Sequence, residues 1–162
     1  MDTMLSKHPA SRPATPVDSA LAYEIKKAAL GPYIAQIFGW DEARQLDFHA
    51  EEFHPSNAHI LLDRGQPIGW FAAHREDTVF FIDHLYLLPA VHGQGIGTQV
   101  LQMLLQTADE AGLVARLDVF KVNPARRLYE RCGFSITGAN AHFYHMERQP
   151  HQRIEEAAEA QT

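Results

Sequence analysis

Leu85-Tyr86-Leu87-Leu88-Pro89-Ala90-Val91-His92-Gly93-Gln94-Gly95-Ile96-Gly97-Thr98 is the stretch on which the fold turns. Residues 79–88, Val-Phe-Phe-Ile-Asp-His-Leu-Tyr-Leu-Leu, are apolar on both alternating faces, the pattern of a strand covered above and below. That strand is placed at the centre of a sheet. Pro89 ends it, and beyond the glycines Val100, Leu101, Leu104, Leu105 and Ala108 trace one face of a helix that stops at Gly112.

Upstream, 58–62 and 68–73 read as strands joined by a turn at Asp63-Arg64-Gly65-Gln66, hence an antiparallel hairpin. Before them, Asp18 or Ser19 caps a helix carrying Leu21, Ala22, Ile25, Ala28 and Ala29, expected to end at Gly31-Pro32. A broken helix or two short ones should follow to about Phe53. Downstream come a strand over 113–120, a short helix over 124–131 with Pro at its start, and a hairpin of 134–137 with 142–147. The order predicts an α/β protein with a mixed, mostly antiparallel central sheet and helices on both faces, its parallel crossover lying between 79–88 and 113–120. Residues 1–17 are expected to be a flexible leader or weak first strand, 18–147 a single domain, and 148–162 a polar acidic tail.

Composition narrows the function. The chain has 162 residues, 46% hydrophobic and 21% charged, which suits one core rather than two. A net charge of −6 lacks the footprint of a general nucleic-acid binder. No apolar run approaches the ~20 residues of a membrane span, and no signal-peptide core is evident near the start. Cys132, the single cysteine, allows no intrachain disulfide and suits a reducing compartment, so a cytoplasmic location is expected. Ten histidines lack metal-ligand spacing, and no metal is expected.

The glycine stretch has the chemistry of anion binding. Glycines let consecutive N–H groups turn toward one point, and the following helix adds its positive end, so a phosphate or diphosphate is the natural ligand. A Walker loop would need Gly-Lys-Ser/Thr and a Rossmann fingerprint an early parallel unit; neither is present. The second informative segment is Asn123-Pro124-Ala125-Arg126-Arg127-Leu128-Tyr129-Glu130-Arg131-Cys132-Gly133-Phe134. On a helix starting at Pro124, Tyr129 stands beside the apolar face with its hydroxyl free to reach a cleft, and a neutral phenol can donate a proton to a leaving anion.

Together these segments resemble the GNAT superfamily of acetyl-coenzyme-A-dependent N-acetyltransferases, over roughly residues 18–147. The family's diphosphate loop runs Arg or Gln, x, x, Gly, x, Gly or Ala; here it is His92 to Gly97, followed by Thr98, with His92 at the Arg or Gln position. The resemblance implies acetyl-CoA as cosubstrate, held by Gly93, Gln94, Gly95, Ile96, Gly97 and Thr98 at the diphosphate and by open backbone near Leu85 and Leu87 at the pantetheine. It implies that the Asn123 side chain contacts the cosubstrate and that Tyr129 protonates the departing thiolate.

The implied activity is N-acetyl transfer to a primary amine by direct attack in a ternary complex. The acceptor would be a small-molecule amine, a peptide N-terminus or a lysine, and the protein a monomer or homodimer. A base is useful because an alkylammonium is protonated at pH 7. Asp83 is the first candidate and His84 the second, and simple alternation places Asp83 with Leu85 and Leu87 and His84 with Ile82 and Tyr86. Acceptor recognition is expected from the first two helices, with Glu24, Trp40, Asp41, Glu42 and His54, and from the last hairpin. The competing readings are a catalytically silent acyl-CoA-binding module and a nucleotide-binding regulatory domain.

Overall fold

The computed structural model of the protein describes residues 9–151. Seven strands form one sheet: β1 (Ala10–Pro13), β2 (Ala58–Asp63), β3 (Gln66–Glu76), β4 (Val79–Leu87), β5 (Val114–Phe120), β6 (Ser135–Ala139) and β7 (Phe143–Arg148). They lie in the order β1-β2-β3-β4-β5-β7-β6, which puts β4 at the centre. All neighbours are antiparallel except β4 and β5, and the chain passes between those two through the helix α3 (Ile96–Glu110). The fold is therefore the mixed α/β arrangement that the periodicity predicts.

Alternation along β2 and β3 divides the core in two. Leu61 and Phe71 face a cluster with Val100, Leu101, Leu104 and Leu105 of α3, whereas Ile60 and Trp70 face Ala22 and Ile25 of α1 (Ser19–Phe38). Trp70, almost wholly buried, donates its Nε1–H to Ala22 O across 2.9 Å. The hairpin between β2 and β3 turns on Arg64 and Gly65, both at positive φ (54° and 79°), the two-residue turn that matches strand twist.

The first helix corrects the sequence reading. It does not end at Gly31-Pro32 but continues to Phe38, with Pro32 inside it. A proline pushes its predecessor out of the helical region partly by clashing with that residue's Cβ, and Gly31 has none. Gly31 is buried, and a Cβ there would stand 3.6 Å from the Trp40 ring. The break comes instead at Gly39, at φ 76°, after which Asp41 accepts a hydrogen bond from Arg44 N (3.1 Å) and starts α2 (Glu42–Glu52).

β7 extends to Arg148, one residue into the expected tail, because that side chain has a buried task. It is 5% exposed and donates Nη1 and Nη2 to the two oxygens of Asp109 (2.8 and 3.1 Å) and Nε to Cys132 O (3.1 Å). Burial works to raise the Asp109 pKa, but hydrogen bonds from Arg148 and from the His151 amide outweigh it and leave the carboxyl below its ordinary value. Asp109→Ala strands a buried guanidinium and should cost about 3 kcal/mol, read as a lower urea midpoint with an unchanged slope. Residues 1–8 of the expected leader and 152–162 of the tail lie outside the described residues.

Candidate active site

The site begins with a defect in the central strand. β3 and β4 pair through Ala72↔His84 and then Ala73↔Ile82, so Asp83 is an extra residue, a β-bulge. A bulge bends its strand and resets the alternation. This corrects one expected face: Ile82 lies with Leu85 and Leu87 on the α3 side, whereas His84 keeps the expected company of Tyr86 on the α1 side, against Trp70. Beyond the three pairs Val79↔Val114, Phe80↔Ala115 and Phe81↔Arg116, β4 and β5 no longer pair.

That separation leaves main-chain groups open. Leu88 N donates to Ile68 O (2.8 Å), so positions 84, 86 and 88 exchange hydrogen bonds with β3. The N–H and C=O groups of Leu85 and Leu87 consequently turn toward the gap. Of these, Leu87 O is taken by His92 Nε2 at 2.9 Å. His92 thus serves as a strut between the loop and the end of β4, a contact that the sequence pattern does not reveal.

The loop then supplies donors. Gly93 and Gly95 take positive φ (78° and 80°), and Gly95 caps α3 without any side-chain hydrogen bond. None of the six amides from Gly93 to Thr98 meets a protein acceptor among the described residues. Gly97 lets α3 start tightly against its neighbours, since a Cβ there would lie 3.2 Å from Leu128 and 3.5 Å from Leu87. Six successive unmet donors at a helix N-terminus are suited to a diphosphate.

The helix α4 (Arg126–Arg131) closes the opposite wall. Asn123 Oδ1 accepts from Ala125 N (2.9 Å), which fixes the turn into α4 and leaves the amide nitrogen of that side chain without a partner among the described residues. Tyr129 is 8% exposed, its ring edge-on to Phe134 at 6.0 Å. Its hydroxyl has no protein partner among the described residues, yet it is not sealed in the core and opens into a cleft. Burial pushes the phenol up to about 12, so it stays protonated at neutral pH.

This cleft, about 1160 Å³, runs from the loop past the β4–β5 gap to α1 and α2. It brings together Leu85, Leu87, Gly93, Gly95, Ile96, Gly97, Thr98, Asn123, Tyr129 and Asp83. Gln94 is outside its lining and turns its side chain toward Ala90 O at 3.4 Å. Asp83 accepts from His74 Nδ1 at 2.6 Å, and that bond raises the His74 pKa. His84 is bonded through Nδ1 to Tyr86 Oη (2.9 Å), and burial lowers it to about 4, so its imidazole is neutral.

Of the acceptor-side residues expected on α1 and α2, Trp40 and Asp41 line the cleft. Glu24 and His54 are exposed outside it, and Glu42 accepts from Lys27, Tyr23 and Trp40, which hold it at about 2. Sequence reasoning missed Asp118 and Phe120. The alternation of β5 carries the signal, since Ala115, Leu117 and Val119 are buried against α3 and the intervening residues must face the other way. Among the described residues there is no group of three or more His, Cys, Asp or Glu side chains able to hold a metal, and no helix long and apolar enough to cross a membrane.

The sequence model of the Acetyltransferase (GNAT) family matches residues 22–134. The crystal structure of PaiA N-acetyltransferase from Thermoplasma acidophilum in complex with coenzyme A is similar over 86% of this chain and 98% of that one, with TM-score 0.72 and 16% identity. The ribosomal-protein-S18-alanine N-acetyltransferase from Escherichia coli is similar over 90% and 96%, at 0.67 and 18%. Ard1 from Thermoplasma volcanium gives 88% and 98%, at 0.65 and 21%. At these identities the likeness is one of fold. No curated protein matches the sequence.

Proposed function

The chain belongs to the GNAT family of acetyltransferases, and from that premise we propose that it moves an acetyl group from acetyl-CoA to the nitrogen of a primary amine within a ternary complex. The observation that carries this reading is the run of unmatched amides from Gly93 to Thr98 bordering the same cleft as the free Tyr129 hydroxyl. The amides take the diphosphate, the open groups of Leu85 take the pantetheine, the Leu87 N–H is left for the thioester oxygen, and Asn123 adds its unpartnered amide.

The reaction forms a C–N bond and breaks a C–S bond. The neutral amine attacks the thioester carbonyl, and a main-chain N–H of β4 near Leu87 faces the oxygen on which charge develops. Tyr129 gives its phenolic proton to the departing sulfur. Asp83, held by His74 at the bulge, is the base we assign to the proton that the acceptor nitrogen loses.

The test joins binding to turnover. Acetyl-CoA and free CoA should each raise the unfolding temperature, by about 2.7 kcal/mol of stabilisation at a hundredfold excess over Kd, and ATP should not. With an amine panel, CoA release should be matched by N-acetyl product. Stabilisation without turnover of any amine would favour a silent binding module, and stabilisation by ATP alone would remove the acetyl-transfer reading.

A further inference from the structure

One face of the β5–β7 pair carries three cross-strand pairs in succession: Phe120 opposite Phe143, Asp118 opposite His145, and Arg116 opposite Glu147. Each is joined through its side chains. The two phenyl rings stack at 4.3 Å between centroids, His145 Nδ1 donates to Asp118 Oδ1 across 2.7 Å, and Arg116 Nε donates to Glu147 Oε2 across 2.7 Å. Phe120, Phe143 and Asp118 line the cleft, whereas Arg116 and Glu147 lie beyond it. Aromatic surface and a carboxylate therefore stand one rung apart, about 7 Å along the strands.

The charges of the cleft single out this carboxylate. Glu52 is neutralised by Lys26 at 3.0 Å, and Asp41, one oxygen of which accepts from Arg44 N, stands at the start of α2 and not on the ladder. Asp83 and Asp118 are partnered by imidazoles instead, and Asp118 is the more open, its side chain 60% exposed against 35%. Its Oδ2 has no hydrogen-bond partner among the described residues. Phe38, at the end of α1, completes the aromatic side. Its ring lies edge-on to His142 at 4.8 Å and 6.5 Å from Phe120, and it is 58% exposed, a large apolar surface with no packing reason to stay in water.

We propose that this ladder is the acceptor subsite and that the acceptor is a small aryl-alkylamine. Its ammonium donates to Asp118, and its ring lies against Phe120, Phe143 and Phe38, with a short alkyl spacer bridging the two rungs. The Phe38–His142 contact ties the end of α1 to the turn between β6 and β7 beside this aromatic surface. The inference rests on the acetyl-transfer reading above and adds the class of amine.

The experiment compares 2-phenylethylamine, n-butylamine and a tetrapeptide beginning with phenylalanine, by CoA release, with acetyl-CoA affinity measured calorimetrically for every variant. 2-Phenylethylamine should exceed n-butylamine about 30-fold in kcat/KM, the worth of one well-packed ring. Phe38→Ala, at an exposed position that the fold does not need, should cut that preference to about fivefold or less. Asp118→Asn should lower kcat/KM for both amines about 100-fold with acetyl-CoA affinity unchanged. Equal use of the two amines, a preference untouched by Phe38→Ala, or faster acetylation of the tetrapeptide would overturn the proposal while leaving acetyl transfer intact. Failure of the unaltered protein to bind acetyl-CoA would instead bring down the reading beneath it.

Discussion

Gly95→Asp is expected to weaken acetyl-CoA binding at least about 100-fold while leaving the folded state close to its original stability. Gly95 sits at φ 80° as the residue capping α3, and the amides just beyond it have no acceptor. Aspartate tolerates left-handed backbone better than most residues, and it would set a carboxylate beside the open amides at the positive end of α3. It would thus compete for the donors we assign to the diphosphate and repel the diphosphate by charge. Gly95→Ala separates the two effects, since it adds only the backbone strain, about 1 kcal/mol, with no competing acceptor. If calorimetry gave Gly95→Asp an affinity within threefold of the original, the diphosphate would have to lie elsewhere.

Tyr129→Phe is expected to lower kcat by about 100- to 1000-fold, the usual worth of a positioned acid, with KM for acetyl-CoA changing by less than about threefold. The ring packs edge-on against Phe134, and phenylalanine keeps that contact; only the hydroxyl in the cleft is lost. The pKa also fixes a sign. Burial raises this phenol to about 12, so its proton is present throughout the neutral and moderately alkaline range. The unaltered enzyme should therefore show no fall in kcat assignable to Tyr129 below about pH 11, where an exposed phenol would begin to fail near pH 9. A kcat unaffected by Tyr129→Phe would take the acid role from this residue.

Local pattern explains which parts of the protein can be read before folding. The Asp63-Arg64-Gly65-Gln66 turn, the helical face from Val100 to Ala108 and the doubly apolar strand at 79–88 are each set by neighbours in sequence, and each forms where expected. Gly31-Pro32 is misread because a stop signal depends on the residue before proline having a Cβ, and here it has none. The bulge at Asp83 arises from the pairing of β4 with β3, which no single-strand periodicity contains, and it puts Ile82 on the face of Leu85 and Leu87 instead of that of His84 and Tyr86.

The same division runs through the candidate site. The loop and the Asn123–Tyr129 segment are contiguous and legible. The strut from His92 to Leu87 O, and the pairing of Asp118 with His145 across strands 27 residues apart, exist only once the chain has folded. The bulge supplies the connection between fold and chemistry. It bends β4 away from β5, opens the gap beside Leu85 and Leu87, and leaves Asp83 at the edge of the cleft.

Backbone-amide NMR of the full chain titrated with acetyl-CoA bears most directly on the central claim. Saturating ligand should shift the amide resonances of Gly93, Gly95, Ile96, Gly97 and Thr98 more than those of any other contiguous segment and protect them from hydrogen exchange, because ordered phosphate oxygens replace water as their acceptors. Saturation with those resonances unmoved, and the protected amides in some other part of the chain, would contradict the account.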